Sequence, residues 1–247
     1  MPDRPATFAR RISFLLGSRH WVTMCFSPAA DVVGGLVVGA VGIDVVRHAA
    51  GRRNQLAIAA LPLLFAAHQL DEAFVWFGLQ GRVPSSLGRV ALWIYLGFAF
   101  VVLPVYVPFA VRRSEAPGPR RRWMVIFLVI GAVVSAVLLI AMLQGPVTAR
   151  LAHHHLAYGT SLHAGAVITT GYVIATCGAL LLSRRRNVVG FGVANLAAVA
   201  VLARLTTDGF ASLWCAWAAV TSIALAVHMR FPSSGAGERI LIEHNPN

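Results

Sequence analysis

Seven apolar stretches follow one another along this chain, at residues 29–48, 56–79, 88–111, 123–143, 163–182, 188–205 and 210–229. Each is close to the roughly 20 residues a helix needs to cross a bilayer core. Lipid offers backbone N–H and C=O groups no hydrogen-bond partner, so such stretches must fold as helices. The expected fold class is all-α, a polytopic membrane protein with seven transmembrane helices spanning 24–230. Residues 231–247 are expected to form a polar cytoplasmic tail. Composition agrees: 12% of residues are charged, against about 25% in soluble domains.

Arginine placement orients the chain. The first, third and fifth loops and the tail hold 13 arginines (47, 52, 53, 112, 113, 120, 121, 122, 184, 185, 186, 230 and 239), whereas the second, fourth and sixth hold four (82, 89, 150 and 204). Cytoplasmic loops collect positive charge, so the expectation is a multi-pass protein of the inner (cytoplasmic) membrane with its C-terminus in the cytoplasm. The same rule accounts for the net charge of +12 without nucleic acid as a partner; the partner it implies is the lipid bilayer. All 21 basic residues are arginine. Retinal is excluded as a cofactor, because its Schiff base needs a lysine amine.

On this topology Arg4, Arg10, Arg11 and Arg19 fall on the wrong side. A start at Met24 removes the conflict, and residues 1–23 are read as a mis-assigned N-terminal extension. Ser27 suits an N-cap and Pro28 the first helical position, so the first helix can begin directly after Met24, Cys25 and Phe26. Gly35 and Gly39 in that helix have the spacing that lets two helices approach closely, and the helix is expected to be internal and tightly packed. The apolar part of 1–23 is too short for a signal peptide. The three cysteines, Cys25, Cys177 and Cys215, show no zinc-type spacing; Cys177 and Cys215 read as small packing residues.

The second stretch carries His68, Gln69, Asp71 and Glu72 in its middle and Trp76 one turn further on. An ionised carboxylate at a bilayer centre costs about 2.5–3.5 kcal/mol on insertion scales, so such groups face a bundle interior or a polar cavity. At about 100° per residue, Glu72 lies about 40° and Trp76 about 80° from His68, and the five side chains occupy less than half the helix circumference. Counted from Leu56, His68 lies about 18 Å and Glu72 about 24 Å from the cytoplasmic end. A polar site here is therefore expected to open outward. A structural alternative is that these groups only hydrogen-bond neighbouring helices.

Other polar residues fall on the same outer side: Cys25 and Asp31 at the start of helix one, His153 to His155 and His163 before helix five, Arg204 and Asp208 at the end of helix six. Asp31 also suits a helix N-terminus, and Arg204 with Asp208 suits an i, i+4 pair. At the opposite end Asp44 is expected to pair with Arg47 or His48. Cys25, His68, Glu72, His155 and His163 have the donor types for a divalent metal ion, although no two of them make a recognised ligand motif.

Met24-Cys25-Phe26-Ser27, a Gly-rich helix over 29–48, and Ala60-Leu61-Pro62-Leu63-Leu64-Phe65-Ala66 followed by Gln69, Glu72 and Trp76 together resemble an uncharacterised bacterial (actinobacterial-type) family of integral membrane proteins. The resemblance covers about the first quarter of the chain. It implies that Cys25, Gln69, Glu72 and Trp76 belong together, and it carries no established activity.

The functional expectation is a non-enzymatic membrane protein that binds, senses or transports a metal ion, a proton or a small polar ligand at the helix-two site. Two other classes compete. One is a membrane-embedded, metal-dependent lipid hydrolase like the seven-helix ceramidase-type enzymes, whose HxxxH pairing this chain lacks. The other is a structural or accessory subunit bound to a membrane-protein partner.

Overall fold

The computed structural model describes residues 27–152, 155–159 and 165–205, together with residues 217 and 221. The chain is mostly helical. In order come α1 (Pro28–Ala49), α2 (Leu56–Ala59), α3 (Leu61–Leu79), α4 (Ser85–Gly97), a π-helical turn (Phe98–Val102), α5 (Leu103–Ser114), α6 (Pro119–Gln144), strands β1 (Thr148–Ala152) and β2 (His155–Gly159), α7 (Gly165–Leu181) and α8 (Arg186–Leu205).

Four spans are long and apolar enough to cross a membrane: Pro28–Ala49, Leu56–Leu79, Ser85–Ser114 and Pro119–Gln144. Gly165–Leu181 and Arg186–Val201 are shorter apolar helices. The architecture is that of a membrane protein. Of the seven expected helices, six correspond to described segments, while the seventh, 210–229, lies outside the described residues apart from Trp217 and Thr221. The all-α expectation needs one correction. The fourth loop contains an antiparallel hairpin in which Leu151 is the register partner of Leu156 and Ala149 that of Tyr158. Short paired strands satisfy their backbone groups against each other, and no helical or period-2 apolar pattern advertised them.

Helix α1 begins as expected. Ser27 is its N-cap, Oγ accepting from the Ala30 N–H at 3.2 Å, and Pro28 occupies the first turn. At the other end His48 Nδ1 lies 3.5 Å from Asp44 Oδ1, the expected pair. The glycine stripe sets how α1 meets α3. A Cβ on Gly35 would sit 2.8 Å from Leu70 Cγ and one on Gly42 2.8 Å from the Leu63 backbone nitrogen, while Gly34 lies against the Gln69 side chain. The tight packing is one-sided: Val33, Leu36, Val37 and Ile43 on the far face are exposed. Exposed apolar side chains on this scale suit contact with lipid.

The α-helical pattern of the third span is interrupted by a π turn beside its prolines. Leu103 N–H donates to Phe98 O, five residues back, which defines the π turn. The next residue, Pro104, has no N–H to continue that pattern, so Ala99 O lacks its backbone donor; the Tyr172 hydroxyl of α7 supplies one at 2.8 Å. Ser135 of α6 likewise donates to Val101 O at 2.8 Å. Pro108 frees the carbonyl of Pro104, and α6 closes on it at Gly131, where a Cβ would lie 2.0 Å from that oxygen. At the α2–α3 break, Tyr106 donates to Ala57 O at 2.8 Å.

Among the described residues the bundle holds two larger apolar clusters and a smaller one of Val45, Ala49 and Ala59. One of the larger two, including Ile58, Leu61, Val107, Val111, Met124 and Leu180, lies toward the arginine-rich end. The other, including Val75, Trp76, Leu92, Tyr95, Met142 and Leu156, lies toward the hairpin. The three arginine-rich loops share an end: Glu115 accepts from Ser183 Oγ and, at 3.0 Å, from Arg184 N–H. With its amide oxygen turned toward Arg185, Gln55 accepts from Nη1 at 3.0 Å and Nη2 at 3.2 Å.

Candidate functional site

Helix α3 presents the polar face that its sequence spacing anticipates. His68, Gln69, Glu72 and Trp76 are buried, Glu72 to 1% exposure, and Asp71 at the margin of the face is half-buried. A buried carboxylate is tolerable only where partners replace the water it has lost. One partner comes from the hairpin: the Tyr158 hydroxyl donates to Glu72 Oε1 at 3.1 Å.

Aromatic stacking links this contact to His68. The His68 ring lies 4.0 Å from that of Tyr95 at an interplanar angle of 12°, and 4.7 Å from that of Phe98. Tyr95 stacks in turn on Tyr158 at 4.7 Å. The imidazole packs against both rings, and its Nδ1 is buried without a hydrogen-bond partner. This environment shows His68 packing as an aromatic, which spacing alone did not suggest.

Asp31 joins the site from α1. The antiparallel register set by Gly42, Gly39 and Gly35, carried one turn further toward the α1 N-terminus, brings Asp31 beside Glu72 and Trp76. Its exposure is 0%. Neither of its oxygens, nor the Trp76 Nε1 that faces it, completes a hydrogen bond of ordinary geometry. The helix-dipole account of Asp31 therefore explains its position in the first turn of α1 and not its burial against a second carboxylate.

Of the proposed metal donors, His68 and Glu72 are described; Cys25, His163 and the side chain of His155 lie outside the described residues, as do His153, His154, Asp208 and the side chain of Arg204. Among the described residues no three His, Cys, Asp or Glu side chains gather in a metal-binding arrangement. Cys177 is a buried free thiol in the wall of α7, as expected of a packing residue, and Cys215 is not described. The outward route expected for the site is covered by the hairpin, whose Leu156 is fully buried and whose Tyr158 lies over Glu72. A surface groove lined by Ser86, Arg89, Val90, Trp93 and Ile94 runs along the other side of α4 and contains none of these residues.

Sequence reasoning missed Tyr95, Phe98 and Tyr158. A signal existed, since the chain has four tyrosines and a phenol in an apolar bundle needs an acceptor for its hydroxyl. Tyr106 finds one at Ala57 O, Tyr172 at Ala99 O and Tyr158 at Glu72, each across the bundle.

Comparison with curated proteins and with solved structures finds no match. A family model, by contrast, matches residues 24–238, from Met24 through all the described helices. It spans the glycine-lined α1–α3 pair, the carboxylates packed there and the hairpin over them, and on that match the chain belongs to the family of unknown function DUF6629.

Proposed function

We propose that this protein binds a small cation, a proton or a metal ion, at Glu72 and passes it across or senses it within the membrane. The observation that carries this reading is the burial of Glu72 to 1% exposure in the middle of a membrane-length span, with a hydroxyl from a separate hairpin directed at its carboxylate. A carboxylate that served only to pack helices would be replaceable by an apolar residue at lower desolvation cost. Intramembrane carboxylates commonly mark ion and proton pathways.

The same reading places seven helices in the inner membrane of a bacterium, with the arginine-rich loops and the C-terminus in the cytoplasm. The juncture of residues 55, 115 and 183–185 at one end supports it, because arginines from three loops then face one side. The hairpin and Glu72 lie toward the outer side, and hairpin displacement is the way in.

The test is transport and binding by the full chain reconstituted in liposomes. Proton uptake, read by an enclosed pH dye, and Mn2+ uptake, read by an enclosed fluorescent chelator, are measured for the unaltered protein and for Glu72→Gln. Loss of one of these fluxes in Glu72→Gln is expected. Equal fluxes in the two proteins, above those of empty liposomes, refute a role for Glu72 in transport; equal binding as well refutes the reading and leaves the packing role.

A further inference from the structure

We infer that Asp31 is the second half of the Glu72 site, and that the pair takes a hard divalent cation between α1 and α3. The inference rests on the Glu72 reading and specifies its ligand. Three observations carry it.

The first is position. The glycine stripe of α1 lets its backbone approach α3 so closely that side chains on Gly35 or Gly42 would collide with Leu70 or Leu63. Asp31 lies one turn beyond this contact, on the same face, and so meets α3 at Glu72 and Trp76. Both carboxylates are shut off from the surface, at 0% and 1% exposure.

The second is unspent hydrogen-bonding capacity. A buried polar atom without a partner costs about 1–3 kcal/mol, more if charged, and each such group in a native fold calls for an ion, a water or a function. Asp31 leaves two oxygens without one. Trp76, itself buried, turns Nε1 toward Asp31 without completing a bond. That N–H has the place of an outer-shell donor, which orients a ligating carboxylate and tunes it.

The third is charge and donor type. Two ionised carboxylates in a low-dielectric site carry two negative charges, which one divalent cation neutralises. All the ligating atoms are carboxylate oxygens, the set preferred by Mg2+ and Mn2+ over thiolate-seeking metals. Mg2+ commonly takes one or two carboxylates and keeps several of its waters. Such an ion does not need the third protein donor that the described residues lack here. Among the described residues, the titratable groups that act on Glu72 from around the pair include Asp71 on α3 and Tyr158 on β2.

Mn2+ serves as the probe, its binding followed by electron paramagnetic resonance on the full chain in lipid nanodiscs. The unaltered protein is expected to bind Mn2+, and Asp31→Asn and Glu72→Gln each to weaken binding by about a hundredfold. Trp76→Phe, which removes only the outer-shell N–H, is expected to weaken it by about tenfold. Mg2+ should displace the probe. If Asp31→Asn fails to fold, as judged by its thermal transition, Trp76→Phe decides: binding equal to the unaltered protein overturns the inference. Asp31→Asn binding Mn2+ normally while Glu72→Gln does not also overturns it, yet leaves the Glu72 reading standing. Absence of Mn2+ binding to the unaltered protein, with Glu72-dependent proton flux intact, overturns the divalent site and makes the proton the cargo.

Discussion

The hydroxyl of Tyr158 donates to Glu72 Oε1 at 3.1 Å although the two residues are 86 positions apart in the chain. One belongs to a hairpin and the other to a membrane-length helix, so the contact ties the outer cover of the bundle to the polar face of α3. Tyr158→Phe removes the hydroxyl and keeps the ring stacked on Tyr95. A hydrogen bond to a charged group contributes about 1.5–3 kcal/mol. Stability lost by that order should appear as a lower Tm in thermal unfolding in detergent, and the hairpin should become more accessible to protease. An unchanged Tm together with unchanged proteolysis would show that the contact does not hold the hairpin.

His68 is expected to tolerate substitution better than its chemistry suggests. Its ring stacks on Tyr95 and touches Phe98, which gives it the surroundings of a core aromatic. His68→Gln keeps much of the volume and should change Mn2+ affinity by less than about threefold, whereas an outer-shell residue such as Trp76 should cost about tenfold. A loss at position 68 as large as that at Glu72 would make His68 a ligand.

The close approach of α6 to α5 depends on Gly131. A Cβ there would stand 2.0 Å from Pro104 O, and backbone cannot move aside as the end of a side chain can. Gly131→Ala should destabilise the protein by about 1–3 kcal/mol or prevent its accumulation. Gly51→Ala, where nothing lies within 4 Å, is the control and should stay within about 0.5 kcal/mol. Equal Tm values for the two variants would contradict this packing.

Tyr172 stands in for the backbone donor that Pro104 removes. Tyr172→Phe leaves Ala99 O in an apolar bundle without that hydroxyl, at a cost of about 1–3 kcal/mol. Hydrogen exchange should accelerate around the π turn, over residues 98–106, more than in α1. Exchange raised equally throughout would instead indicate general loosening.

Membrane topology gives a further test. In a background with Cys25, Cys177 and Cys215 replaced by serine, Arg82→Cys should react with an impermeant maleimide from outside intact cells. Arg120→Cys should react only after the cells are permeabilised. The reverse pattern would invert the proposed orientation.

The spans were largely legible because apolar length is a local property: six of the seven expected stretches coincide with described helices to within a few residues. The polar face of α3 was legible too, since the helical period places residues 68, 69, 72 and 76 together whatever surrounds them. The hairpin was not, because its pairing satisfies backbone groups and leaves little trace in side-chain pattern. Pro104 and Pro108 mark where backbone donors are missing from the third span, but they do not show that Tyr172 and Ser135 would donate there.

The sequence by itself determined that the chain is built of membrane-length apolar helices, that its arginines alternate between loops, and that α3 has a polar side. These follow from composition and period, which neighbouring residues decide among themselves. Only the tertiary structure decided that Asp31 meets Glu72, that Tyr158 closes over it and that His68 packs against aromatic rings. Those contacts join residues tens of positions apart, and their register depends on how closely α1 can settle against α3 through its glycines, a property of two packed surfaces that neither helix carries alone.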